Sequence, residues 1–161
     1  MLIGIISDTH DEFDRTTAAV DQLIELGVSE LFHCGDLFSE PIVETCARLP
    51  FSFVFGNHDA DMMGVLERAA VKFGATCLEW GQLIELHGKR IAITHGHLTM
   101  DLKPLSERQP DYLLTGHFHE PSDWMENGVR RINPGALHRA ERFTFATLDL
   151  EKDKVRFIEI D

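Results

Sequence analysis

Side chains that can bind a metal or move a proton recur at five places in this sequence, each just after a short apolar run. Asp8 and His10 follow Leu2 to Ile6, and Asp36 follows Glu30 to Cys34. Asn57 and His58 follow Phe51 to Phe55, His95 and His97 follow Arg90 to Thr94, and His117 and His119 follow Asp111 to Leu114. The runs are β-branched or aromatic, the pattern of buried strands. A lone Asp or His after a strand is ordinarily a capped, hydrogen-bonded structural residue. Five placements of one kind are hard to explain that way, because carboxylates and imidazoles gathered out of water are costly unless a cation compensates them. Six of the nine histidines lie at these strand ends, leaving His33, His87 and His138 elsewhere. The densest stretch is Gly56-Asn57-His58-Asp59, where a tight turn at the carboxyl end of a strand carries three such groups without a gap.

The mixture of donors narrows the chemistry. Carboxylate, amide oxygen and imidazole without thiolate suit manganese, iron, nickel or zinc, and argue against iron–sulfur chemistry or a structural zinc. The donors outnumber the needs of one ion. Two ions about 3.5–4 Å apart, sharing a bridging carboxylate, would use them. Asp59 has two readings of equal weight, orienting His58 from behind or capping a helix.

The elements that must position these groups alternate through the first third of the chain. Strand, polar loop and helix repeat, with helices expected over about Ala19 to Leu26, Pro41 to Leu49 and Asp61 to Phe73. That layout gives a parallel sheet with its site along one edge. Thr76 to Glu79 and Gln82 to His87 read as strands, and Gly88-Lys89 turns the latter into Arg90 to Thr94. Leu98 to Arg108 reads as a helix interrupted by Pro104. The tail (Ser122 to Met125, Arg130 to Asn133, Arg142 to Leu150 and Lys154 to Ile160) alternates and turns at Asn127-Gly128, and reads as an antiparallel finish. Its strand edges could pair two copies into a homo-oligomer.

A chain of 161 residues is long enough for one domain with a sizeable core. The net charge of −12 argues against nucleic-acid or membrane binding through surface charge. Cys34, Cys46 and Cys77 are too scattered for a disulfide framework, which points to a reducing, cytoplasmic setting. Met1 to Ser7 is apolar, but Asp8 ends the run too soon for a signal peptide, and nothing reaches the length of a membrane span.

Taken together, Asp8-x-His10, Gly35-Asp36, Gly56-Asn57-His58-Asp59, Thr94-His95-Gly96-His97 and Gly116-His117-x-His119 resemble the five motifs of the calcineurin-like metallophosphoesterases, in the family's order. The short length and Asn133-Pro134-Gly135 are similar to the compact bacterial and archaeal phosphodiesterase branch. The resemblance implies an α/β fold, a four-layer α-β-β-α sandwich with two mixed central sheets, in a single domain over residues 1–161. It implies that Asp8, His10 and His119 hold one ion, that Asn57, His95 and His117 hold the other, and that Asp36 bridges them. His58 matches the catalytic histidine beside the leaving group, and His97 lies near the site without being a principal ligand. Manganese is the expected pair of ions, with nickel, iron or zinc also suited. The implied reaction is hydrolysis of a small phosphodiester by a hydroxide shared between the ions, in preference to a monoesterase or nuclease. Phe118 stands where the family often has Thr, and Ala136 where it usually has Ser. The alternative on the same fold is a non-catalytic interaction scaffold of the retromer-subunit type.

Overall fold

The computed structural model describes residues 1–161. The apolar run Leu2–Ile6 forms β1, which is buried on both faces beyond its first residue. It is followed by α1 (Phe13–Glu25), β2 (Glu30–His33), α2 (Glu40–Cys46) and β3 (Phe51–Phe53). A 3₁₀ turn over Asn57–Met62 then runs into α3 (Met63–Phe73), which precedes β4 (Thr76–Cys77). The helix expected from Asp61 thus starts two residues later, because the turn after Gly56 is wound more tightly than an α-helix. Gly74 closes α3 in the left-handed conformation, φ 72°.

The remaining elements are β5 (Gly81–Leu86), β6 (Lys89–Thr94), α4 (Thr99–Glu107), β7 (Tyr112–Leu114), β8 (Pro121–Glu126), β9 (Val129–Pro134), β10 (Phe143–Asp149) and β11 (Lys154–Ile160). Pro104 sits inside α4 without interrupting it. It removes one backbone donor from a helix that continues on both sides of it.

The strands divide between two mixed sheets. One has the order β11-β10-β1-β2-β3-β4, parallel from β1 to β4 and antiparallel at β10 and β11. The other has the order β5-β6-β7-β9-β8, with β6, β7 and β9 parallel and a hairpin at each edge. The tail is therefore not one antiparallel finish. Its first two strands complete the second sheet, and its last two cross over at Asn133-Pro134-Gly135 to join the first. The edge hairpins close on His87-Gly88 (φ 50° and 73°) and Asn127-Gly128 (φ 51° and 81°), two-residue turns whose twist matches the strands they join.

Alternation along β1 sends Ile3 and Ile5 to one face and Ile6 to the other. Ile3 and Ile5 join Phe32, Ile91, Ile93, Leu114, Ile132 and Leu148 in a core between the sheets. Ile6, Phe53 and Phe145 pack instead against Val20 and Leu23 of α1, Ile42 and Val43 of α2, and Leu66 of α3. Leu105 of α4 covers the outer face of the second sheet with Ala92, Leu113 and Val129. The layers run α-β-β-α, with the carboxyl ends of β1, β2, β3, β6 and β7 opening on one edge. No helix is long and apolar enough to cross a membrane.

Candidate metal centre

The loops leaving those strand ends are held in strained conformations. Asp8, His10, Asp36, Phe38, His117 and His119 all have positive φ, between 42° and 86°. Non-glycine residues enter this region at a cost, and they persist there only where the surroundings fix them. Backbone bonds do part of this: Asp8 N–H donates to the Gly35 carbonyl and His10 N–H to that of Asp36, tying the first two loops together. Glycines do the rest by leaving room. A Cβ on Gly56 would lie 2.1 Å from Asp36 Oδ1, and one on Gly116 would lie 2.7 Å from Asp8 Oδ2.

Asp59 secures the same loops from beneath. Its buried carboxylate accepts the N–H groups of Asp36 (2.7 Å), Leu37 (3.2 Å), Phe38 (2.9 Å) and Gly56 (2.9 Å). Burial raises its pKa against the pull of these donors. The bonds run to backbone donors, including that of Gly56 at the head of the 3₁₀ turn, and none runs to His58. His33 is another buried support. Its Nδ1 accepts the Gly35 N–H, so its Nε2 carries the proton and meets Thr9 Oγ1 at 3.0 Å. Burial holds its pKa at about 3, keeping it neutral.

Above this floor the donors converge. Asp36 Oδ2 lies 3.2 Å from His10 Nε2 and 3.4 Å from His95 Nε2, while its Oδ1 accepts the His58 N–H. Asp8 Oδ1 faces His119 Nε2 at 3.1 Å, His10 Nε2 at 3.8 Å and His95 Nε2 at 3.9 Å. Its Oδ2 accepts from Ser7 Oγ and the His117 N–H. Two groups of side chains could each hold an ion: Asp8, His10 and His119, and Asp8, Asp36 and His95. Asn57 Oδ1 sits 3.0 Å from His95 Nε2, beside the second group. His117 stacks edge-on to His95, 5.2 Å between ring centroids, and its imidazole belongs to neither group. His97 is one step further out, 5.3 Å from His95 and 6.0 Å from Trp80. His58 is exposed and lines the cavity, its ring 5.1 Å from that of His10.

Two observations fit this set to divalent cations. His95 Nδ1 donates to the Cys34 carbonyl (2.7 Å) and His119 Nδ1 to that of Arg139 (3.2 Å), which leaves each Nε2 with its lone pair directed inward. His10 Nε2 is buried without a hydrogen-bond partner, although two carboxylates stand within 4 Å of it. Burial alone would raise the pKa of Asp8 and Asp36, but hydrogen bonds and charge from the surrounding histidines hold both far below the usual carboxylate range. The same carboxylates outweigh burial at His10 and lift it to about 9. Acids and bases that restrain one another so strongly are in the state a positive ion would relieve.

The site also contains groups that the sequence placed less well. His138 stacks on His10 at 4.7 Å and is held by Glu12 through Nδ1 at 2.9 Å. Phe38 and Arg139 line the same cavity, of about 380 Å³. His138 and Arg139 lie in the loop after β9, where no periodicity marks them; only their closeness to Asn133-Pro134-Gly135 could have drawn notice.

Two mixed sheets with paired acid and imidazole donors at their carboxyl edge define a metal-dependent phosphoesterase. The family model of the calcineurin-like phosphoesterase superfamily domain matches residues 1–153, and the chain belongs to that superfamily. Phosphodiesterase MJ0936 of Methanocaldococcus jannaschii is 27% identical, with all of both chains covered. A solved archaeal phosphodiesterase, also 27% identical, superposes with a TM-score of 0.88 over 99% of this chain and 100% of its own. Vps29 of Entamoeba histolytica, solved with zinc, shares the fold at 19% identity and a TM-score of 0.62, covering 100% of this chain and 99% of its own.

Proposed function

We propose that the chain is a phosphodiesterase working with two divalent ions, manganese first among those its donors suit, on a small phosphoester. The observation that carries this reading is the place of Asp36 Oδ2, between His10 Nε2 at 3.2 Å and His95 Nε2 at 3.4 Å. One carboxylate oxygen there can serve two neighbouring ions. Asp8, His10 and His119 would hold one ion, and Asn57, His95 and His117 the other, with Asp36 between them. When bound, divalent ions supply charge for the phosphoryl oxygens and make water a nucleophile near neutral pH.

The chain's own residues supply the rest. Asp59 and the glycine turns keep Asp36 in a fixed place, so that charge developing on phosphorus meets groups that need not reorganise. His58, on the open wall of the cavity, gives a proton to the departing oxygen. No Ser or Cys lines the cavity, and attack by metal-activated water asks for no protein nucleophile. The names of the 27%-identical relatives support the diester over the monoester. The scaffold reading rests only on a shared fold, whereas the two groups of converging donors and a histidine at position 58 lining the same cavity support catalysis.

The test is hydrolysis of a nitrophenyl phosphodiester by protein loaded with Mn²⁺, with metal content measured alongside. Asp36→Ala is expected to lose turnover and at least one ion. His58→Ala is expected to keep both ions and lose about 10²–10⁴-fold in kcat. An inert wild-type protein carrying its full metal content refutes the reading.

A further inference from the structure

The cavity at the metal centre does not end at His119. A second cavity, of about 340 Å³, adjoins it and shares His119 and Arg139 with it. Its other lining includes Phe118, Glu120, Glu141 and Arg142. Phe118 stands between two of the histidines at the site, is 70% exposed, and rests its ring edge-on against His117 at 5.1 Å. A singly exposed phenyl is ordinary. One that walls a chamber opening onto a phosphoesterase centre has a face to offer a substrate.

Arg139 stands at the junction of the two cavities. Its carbonyl accepts from His119 Nδ1, and its backbone is held at φ 45°. Its guanidinium makes no hydrogen bond or ion pair within the chain, whereas Arg142 nearby is paired with Glu159 at 3.8 Å. A free guanidinium in that place can meet a phosphoryl oxygen through two parallel hydrogen bonds.

A phosphodiester carries two alcohols. One departs beside His58; the other stays on phosphorus and must leave the metal centre by another route. We infer that the adjoining cavity receives this retained alcohol, and that the alcohol is a nucleoside. Its base stacks on Phe118, its hydroxyls meet Glu120 or Glu141, and Arg139 holds the phosphoryl group at the boundary. A chamber with one aromatic wall and charged remaining walls suits a flat polar ring and a sugar; an acyl chain would leave those charges unsatisfied. The net charge of −12 favours a single nucleoside over a nucleic-acid strand. This deepens the phosphodiesterase reading and rests on it.

The experiment uses the Mn²⁺-loaded protein and two esters with the same leaving group, the p-nitrophenyl ester of thymidine 5′-phosphate and methyl p-nitrophenyl phosphate. The thymidine ester is expected to show a kcat/KM at least tenfold higher, expressed in KM. Phe118→Ala is expected to shrink that ratio about tenfold, as loss of a base-stacking contact does, and Phe118→Tyr to preserve it. Arg139→Gln is expected to raise KM for both esters. Equal kcat/KM for the two esters, or a Phe118→Ala effect that is the same on both, overturns the nucleoside subsite while leaving the phosphodiesterase reading intact. Loss of both hydrolyses at full metal content overturns the two together.

Discussion

On the proposed ligand set, protons and metal ions would compete for the same lone pair at His10. Its Nε2 faces Asp36 Oδ2 at 3.2 Å and Asp8 Oδ1 at 3.8 Å. Burial opposes the charged imidazole, but the two carboxylates prevail and raise its pKa to about 9. At neutral pH an incoming ion must therefore displace that proton. Apparent Mn²⁺ affinity is expected to climb between pH 7 and pH 9, by up to about tenfold per pH unit for each proton released, and to level off above. Calorimetric titrations in buffers of different ionisation enthalpy count the protons; an affinity flat in pH, with none released, contradicts the assignment. Asp59 acts at the same scale through hydrogen bonds. Replacing it with Ala leaves the N–H groups of Asp36, Leu37, Phe38 and Gly56 without their acceptor. The expected cost is about 3–5 kcal/mol in urea unfolding, since charge-assisted bonds to buried donors are lost together, with weaker metal binding as well. A variant as stable as the parent would remove Asp59 as the pin of the Asp36 loop.

At the scale of elements, the site is made by strand ends and by glycines that let those ends approach. Gly56→Ala is the sharpest probe, because its Cβ would fall 2.1 Å from Asp36 Oδ1 and 2.5 Å from Asp36 N. The expected outcome is a folded chain, by circular dichroism, that has lost at least one ion per molecule by elemental analysis. Gly27→Ala serves as the control: it is also at positive φ, yet nothing lies within 4 Å of its Cβ, so it should lose only about 1 kcal/mol and no metal. The strand ends were legible in the sequence because composition changes abruptly there, from the apolar Phe51 to Phe55 into Gly56-Asn57-His58-Asp59. Which sheet each tail strand joins was not legible. β9 and β10 each bury side chains on both faces (Val129 and Ile132; Phe145 and Leu148), so their patterns suit the interior of either sheet. The resemblance, and not periodicity, supplied the second sheet. Asp59 was ambiguous for a related reason: its partners are backbone donors of a loop more than twenty residues away, and backbone groups leave no mark in a sequence. His138 reached the site through the crossover between sheets, which no local spacing encodes.

For the whole molecule, the site concentrates part of a net charge of −12 in its interior, with Asp8 and Asp36 both buried among polar groups. Divalent ions that bind only the folded chain stabilise it by mass action, by about 2.7 kcal/mol at a hundredfold excess over Kd for one site. In a chain of this size each kcal/mol moves Tm by about 2–4 °C, so Mn²⁺ is expected to raise Tm by about 5–11 °C and a chelator to reverse the rise. The gap should also widen with pH, and the direction follows from His10. Its folded pKa, about 9, lies above the ordinary 6.5. Without metal, the attraction of protonated His10 to the Asp8 and Asp36 carboxylates contributes stability that is full below pH 6.5 and fades as pH rises through 9. An ion held by His10, as proposed, would leave it no proton, and that contribution would give way to coordination, which would strengthen over the same interval. Thermal unfolding at pH 6.5 and pH 9, each with Mn²⁺ and with chelator, separates the two terms. A metal-induced shift in Tm that is equal at both pH values, or one that survives in Asp36→Ala, would show the ions acting somewhere other than at this cluster.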